Sequence, residues 1–290
     1  MEAGAARIIM NADDLGMSPE TNRGIAECAE AGAVTSFSLM ANLPGFEDAR
    51  ARLRAGLPGS LGVHLNFTLG EPLLRGADAR PFMGSGGRFP GLGAMVLRLA
   101  AGGGRSLGES LEREGRAQIE RVLGAGPVWH LDVHHHLHGF PALLEVLVRL
   151  AGEFRIPALR NPREGVFLAP GGGRLPWKAL LLRFLARKAP ARIAAAGLRR
   201  PDVLYATVLS QSRDLGRTLR ALLEGAGPGV SEIALHPGYA APSLRASDPF
   251  QGHREETLRV LRGEETRKAL AGARVRLISF RDLAERGEAG

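Results

Sequence analysis

Apolar residues fall in short blocks separated by polar, glycine-marked breaks, and the first blocks alternate in kind. Arg7-Ile8-Ile9-Met10-Asn11 is a compact apolar run with β-branched residues and predicts a buried strand. Ala12-Asp13-Asp14-Leu15-Gly16 makes a turn, and Ser18-Pro19 supplies an N-cap and a first-turn proline for a helix to about Ala31, closed by Gly32. Val34–Met40 predicts a second strand, Phe46–Ala55 a second helix and Leu61–Leu65 a third strand. Strand and helix alternating in this way argue for parallel β/α units.

The alternation lapses from Asn66 to Ser106, a stretch rich in Gly and interrupted by Pro72, Pro81 and Pro90. Connections this long in a compact domain are commonly functional, so a substrate-covering loop is expected there and again at Asn161–Pro176. Between and after them the pattern predicts a helix over Leu107–Leu123, a strand over Val128–Val133 and a helix over Pro141–Ala151. A short strand comes next at Ala158–Arg160, then a long basic helix over Trp177–Ala196 and a weak strand over Val203–Val208. The remainder reads as a helix over Leu215–Glu224, a strand over Glu232–His236, helical segments near Arg254–Leu261 and Glu264–Ala271, and a last strand over Val275–Ser279. Seven or eight strands with intervening helices predict one α/β domain over residues 1–290, a distorted (β/α) TIM-like barrel. A doubly wound open sheet is the competitor, but no strand is followed by a Gly-rich phosphate loop.

At 290 residues and 44% hydrophobic, the chain can bury a sizeable core. No apolar run approaches a membrane span, and no secretory leader is visible, so no membrane partner and a cytoplasmic location are expected. The single cysteine, Cys28, excludes an internal disulfide. A net charge of +8 raises nucleic acid as a partner. Only Lys178, Lys188 and Lys268 among the 38 basic residues are lysines, however, which marks a chain-wide arginine bias rather than a binding patch. The basic Arg183–Arg200 region is expected to be a solvated helix face, and no nucleic-acid partner is expected. A homodimer stays open.

Polar groups concentrate at predicted C-terminal strand ends, where barrels build their sites. His130-Leu131-Asp132-Val133-His134-His135-His136-Leu137-His138 holds five of the eight histidines. Asp13 and Asp14 follow the first strand, His64 lies near the end of the third and His236 ends a late one. Each alone has a bland reading: a turn pair for the aspartates, a hydrogen-bonded core residue for His64, a strand terminus for His236. Four strand ends carrying Asp or His together point to a metal-dependent site. Asp132 shares a strand face with His130 and His134, so it either orients a ligand histidine from behind or partners a buried network.

These segments also resemble a family. Asn11-Ala12-Asp13-Asp14-Leu15-Gly16-Met17-Ser18, Val34-Thr35-Ser36, Gly62-Val63-His64-Leu65-Asn66, the histidine run and Leu235-His236-Pro237-Gly238 are similar, in order, to the motifs of the YdjC-like carbohydrate deacetylases. The resemblance implies a distorted (β/α) barrel that uses a divalent metal to remove an N-acetyl group from a small amino sugar or oligosaccharide. It implies metal ligands at Asp14, His64 and His134, a catalytic base at Asp13 and a general acid at His236. Val133 departs from the serine often found there, which bears on substrate orientation and not on the ligands.

Amide hydrolysis needs an activated water, a stabiliser for the oxyanion and an acid for the amine, and two imidazoles with one carboxylate leave positions open for this. By ligand type the metal is Zn or another transition metal; by family resemblance it is Mg. Sugar contacts are expected from Asn66, His136, His138, Arg160 and Tyr239. The alternatives are a metal hydrolase of another ester or phosphoester bond, or a carbohydrate-binding barrel without turnover. Asp13, a spare carboxylate beside a ligand, argues against the second.

Overall fold

The computed structural model describes residues 6–102, 104–167, 177–242, 250–272 and 275–285. Eight strands form one sheet in which every pairing is parallel. They are β1 (Ala6–Leu15), β2 (Ser36–Leu39), β3 (Ser60–Leu65), β4 (Val128–Val133), β5 (Ala158–Leu159), β6 (Val203–Tyr205), β7 (Gly229–Leu235) and β8 (Val275–Ile278). The order is β5-β4-β3-β2-β1-β7-β6, and β8 pairs with β1 outside that path. β8 takes Ala6–Ile9 of β1 while β2 takes Asn11–Leu15, so the two share β1 end to end. The Thr35 hydroxyl donates to the Ile278 carbonyl at 2.7 Å where they meet.

The outermost strands curl towards each other. Leu159 N–H donates to the Arg199 carbonyl, and Leu204 N–H to that of Arg163, so irregular bridges replace a full ladder between β5 and β6. The result is the expected distorted, incompletely closed parallel barrel. Helices α1 (Pro19–Glu30), α2 (Phe46–Arg54), α3 (Leu92–Ala100), α4 (Gly104–Leu123), α5 (Pro141–Glu153), α6 (Trp177–Leu185), α7 (Ala189–Ala195), α8 (Thr207–Ser210), α9 (Leu215–Glu224), α10 (Gln251–Arg262), α11 (Glu264–Gly272) and α12 (Phe280–Glu285) flank it.

Local chemistry explains where helices begin. Ser18 is extended, its hydroxyl accepts from Thr21 N–H, and Pro19 occupies the first turn of α1. In the expected irregular stretch 66–106, the structure places α3, whose Met95 and Leu99 are buried between flanking glycines. The rest of that stretch is pinned to α4. Glu114, fully buried, accepts from the N–H groups of Leu73 and Leu74, and Gln118 bonds both backbone groups of Asn66.

The long basic helix expected over Trp177–Ala196 is two helices joined by a 3₁₀ turn at Ala186–Lys188. Pro190 explains the break, since it brings no N–H and favours the first turn of a new helix. The strand expected over Val203–Val208 stops at Tyr205 because the Glu164 carboxylate accepts from Ala206 and Thr207 N–H and starts α8. Of the second expected loop, residues 161–176, residues 168–176 lie outside the described residues.

Helix α1 and the turn after β7 touch backbone to backbone. A Cβ on Gly24 would lie 2.6 Å from Gly238 Cα, with no flexible side chain there to yield. Gly24→Ala is therefore expected to cost about 1–3 kcal/mol, an overpacking penalty read as a lower thermal midpoint. An unchanged midpoint would show that this approach relaxes freely.

Candidate metal centre and its carboxylate network

The end of β1 leaves the regular pleat. In an ordinary strand Asp13 and Asp14 would face opposite sides. Here the pairing with β2 shifts register between Ala12 and Leu15, and Asp14 takes φ +69°, a left-handed conformation uncommon outside glycine. The carboxylates of neighbouring residues are thereby both drawn into the barrel interior. Asn22 from α1 accepts the Gly16 N–H at 2.6 Å and fixes the turn beyond the strand.

Asp14 Oδ1 lies 3.4 Å from His64 Nε2 and 3.2 Å from His134 Nδ1, and the two nitrogens are 3.3 Å apart. His64 Nδ1 is 2.6 Å from Asp132 Oδ1, a contact in which the imidazole donates its proton. Its Nε2 is therefore the nitrogen turned to Asp14 Oδ1, and it can bind a cation once it gives up the proton that the neighbouring carboxylates favour on the ring. Two imidazole nitrogens and a carboxylate oxygen converging on one buried point are a donor set for a cation, which would take the place of that proton. The triangle also fits in size, because donors about 2.0–2.1 Å from a tetrahedral ion stand roughly 3.3–3.4 Å apart. Asp13, His64 and Asp132 also lie with their ligand atoms within 4.8 Å of one another, but Asp13 and Asp132 already accept from a guanidinium.

That guanidinium belongs to Arg160, fully buried at the end of β5. It holds Asp13 with two nitrogens at 2.6 and 2.8 Å, Asp132 at 2.9 Å and Glu232 at 2.7–2.8 Å. Asn11 donates to Asp13 at 2.7 Å, and Ser38 to Asp132 at 2.7 Å. Arg254 of α10 donates to Asp14 Oδ2 at 2.7 Å. Four buried carboxylates thus meet two guanidiniums, which leaves room for further positive charge.

The proton affinities reflect this balance. Burial alone would raise Asp13, yet Arg160 and His64 hold it below the ordinary aspartate value. Asp14 is held well below by Arg254 and His134 against the same burial. Burial pushes Glu232 up to about 7 in spite of Arg160. For His64 burial opposes charge, but Asp132 outweighs it and raises the imidazole to about 10. His236, at the end of β7, is brought down to about 4 by burial against the pull of Asp14 and Asp13. Its side chain is 23% exposed and faces Asp13 Oδ2 at 3.9 Å, the position from which it can meet a bound molecule.

The structure thus brings Asp13, Asp14, His64, Asp132, His134 and His236 together. Of the residues expected at the sugar, Arg160, Asn66 and Tyr239 are engaged by other protein groups and His138 is buried, while His136 keeps a partly open side chain. Arg160 has no exposed surface and serves carboxylates. Asn66 is buried and shapes the loop after β3, accepting from Thr68 and Leu69 N–H and donating to Asn42. Tyr239 donates to Glu27 and lies under Arg23 at 3.8 Å, between α1 and α10. His135 and His136 are both left-handed within a 3₁₀ turn, and His136 is half-buried. His138 is fully buried, and so is His130, stacked on Phe280 at 3.7 Å.

Three contributors escaped the sequence reading. Glu232 carries a signal, since it lies four residues before His236 on the same strand face. Ser38 has the weaker signal of a polar residue inside an apolar strand. Arg254 has none, because its role arises only when α10 packs beside β1.

The family model described as "YdjC-like protein" matches residues 7–272. Curated relatives named carbohydrate deacetylase include one from Geobacillus stearothermophilus, 31% identical over 95% of this chain and 97% of that protein. Another, from Brevibacillus brevis, is 29% identical over 96% and 99%. A crystal structure from Enterococcus faecalis, described as a candidate cellobiose-phosphate cleavage protein, superposes with a TM-score of 0.77 at 25% identity, covering 97% of this chain and 99% of that one.

His64→Ala and His134→Ala are expected to lower bound divalent metal by elemental analysis, and an unchanged stoichiometry would remove them as ligands. A second expectation concerns acid stability. Burial holds His130 neutral down to about 3, whereas an unfolded histidine titrates near about 6.5. The unfolded chain alone takes up this proton as pH falls, so the contribution is lost on acidification. Relative to His130→Gln, the native chain should lose on the order of 2 kcal/mol between about pH 7 and 5, read from urea midpoints. Parallel profiles for the two would contradict a buried neutral imidazole.

Proposed function

The chain belongs to the YdjC-like family, and from that premise we propose that it is a metal-dependent carbohydrate deacetylase acting on a small N-acetylated sugar. The observation that carries the reading is the Asp14–His64–His134 triangle with a spare carboxylate, Asp13, beside it. The carbohydrate deacetylase names of relatives aligned over nearly the whole chain support the substrate class.

Asp14, His64 and His134 would hold one divalent cation. When bound, it supplies Lewis acidity that polarises an acyl carbonyl and acidifies water. The imidazole and carboxylate donors suit Zn or a similar transition metal, and Mg is the alternative implied by the family. Asp13 is the group for taking up the water's proton. Arg160 and Asn11 fix both its oxygens, and its lowered proton affinity keeps it ionised and ready near neutrality. Asp132 holds the His64 ring by Nδ1 so that Nε2 faces Asp14.

His236 is the group for giving a proton to the departing amine. It is neutral at rest, so it must be charged within the cycle, and Asp13 at 3.9 Å is the neighbour placed to pass a proton to it. Arg254 keeps one oxygen of Asp14 occupied and leaves the other for the cation.

The test is acetate release from N-acetylated mono- to tetrasaccharides, with each divalent metal added back after chelation. Release is expected to depend on metal and to fall about 10²–10⁴-fold in Asp13→Asn while metal content stays near normal. Full activity in Asp13→Asn would remove it as the base. Absence of release from every sugar would overturn the deacetylase reading.

A further inference from the structure

Helix α6 turns an apolar face to solvent. Ala179 is fully buried, whereas Trp177, Leu180, Leu181 and Phe184 are 58%, 38%, 49% and 61% exposed. Their i, i+3, i+4, i+7 spacing puts these four on one stripe, opposite Ala179. A helix packed on a globular core ordinarily presents polar residues there.

The charge along this part of the chain has one sign. No acidic residue occurs between Glu164 and Asp202, a stretch with eight Lys and Arg. Arg187 covers the Phe184 ring at 4.5 Å and, like Lys188, is exposed. Arg183 is partly buried, donating to the Glu164 carbonyl, and Arg192 pairs with Glu145. Aromatic and leucine side chains outward, with cations and no anions in the same stretch of chain, are the chemistry of a helix lying in a membrane interface. Two copies meeting through this face would bring like charges together, while an anionic headgroup layer supplies the opposite charge.

We propose that α6 docks the protein on the surface of an anionic phospholipid bilayer. No helix among the described residues is long and apolar enough to cross a membrane, so the contact is a surface one. This departs from the sequence expectation of no membrane partner, which rested on the absence of a spanning segment. Helix α6 is also anchored to the connection at the site's end of the barrel. Helix α6 follows the connection leaving the C-terminal end of β5, which carries Arg160, and Arg183 ties it to Glu164 of that connection. Docking through α6 is independent of the proposed reaction.

The full chain is to be sedimented with vesicles of phosphatidylcholine alone or with half phosphatidylglycerol, while tryptophan fluorescence is followed. Binding is expected only with phosphatidylglycerol, with a blue shift from Trp177, and should weaken steeply as salt rises from about 0.1 to 1 M and the screening length falls from about 10 to 3 Å. Leu181→Ser combined with Phe184→Ser should lower partitioning at least about tenfold with an unchanged thermal midpoint. Equal binding to both vesicle types, or unaltered partitioning of the double variant, would overturn the proposal. So would a chain that ignores vesicles and sediments as a dimer converted to monomer by the double variant, which would make the face an interface between copies.

Discussion

Arg160 brings three carboxylates to one guanidinium in the dry centre of the barrel, and the geometry of the site depends on that contact. A buried arginine is tolerated only when its donors are paired, and buried carboxylates only when their charge is met. Asp13 from β1, Asp132 from β4 and Glu232 from β7 satisfy Arg160 from the end of β5, so one side chain ties four strands. The effect passes outward. Asp132, held by Arg160 and Ser38, in turn holds His64, and Asp13 is fixed by the same fork. Losing one partner would strand charge in a low-dielectric interior, so the cluster acts as a unit.

Asp14 stands outside the Arg160 cluster and is held in place against backbone strain. Its left-handed conformation persists because the surroundings over-determine it: the β1–β2 register shift before it, Asn22 clamping the turn after it and Arg254 gripping its outer oxygen. The free oxygen is left against two imidazoles. One small volume therefore collects a carboxylate and two ring nitrogens, and a cation there would replace the proton that His64 otherwise carries. The outer surface follows the opposite logic, since α6 exposes apolar side chains where water would favour polar ones.

Much of this was legible in local chemistry. Strand and helix alternation, Ser18-Pro19 and the strand-end polar residues predict the barrel and the neighbourhood of Asp13, Asp14, His64, His134 and His236, because period and capping are properties of a few consecutive residues. Less legible were α3, whose glycine-rich flanks hide a short amphipathic turn, and the break at Pro190, where continuous apolar and basic spacing masks two helices. Tyr205 ends its strand because Glu164, far away in sequence, caps the start of α8.

The sequence by itself determined the alternating elements, the barrel class and the residue types at the strand ends, since these depend on neighbours within a turn or a pleat. Tertiary structure decided which of those residues face one another. It turned Arg160 inward to carboxylates on three other strands, used Asn66 for its own loop, placed Tyr239 between helices and recruited Arg254 from α10. It also decided that the apolar stripe of α6 faces out. The physical reason is that a side chain's partner is set by strand order and helix packing, which join positions more than a hundred residues apart, and no local pattern carries that information.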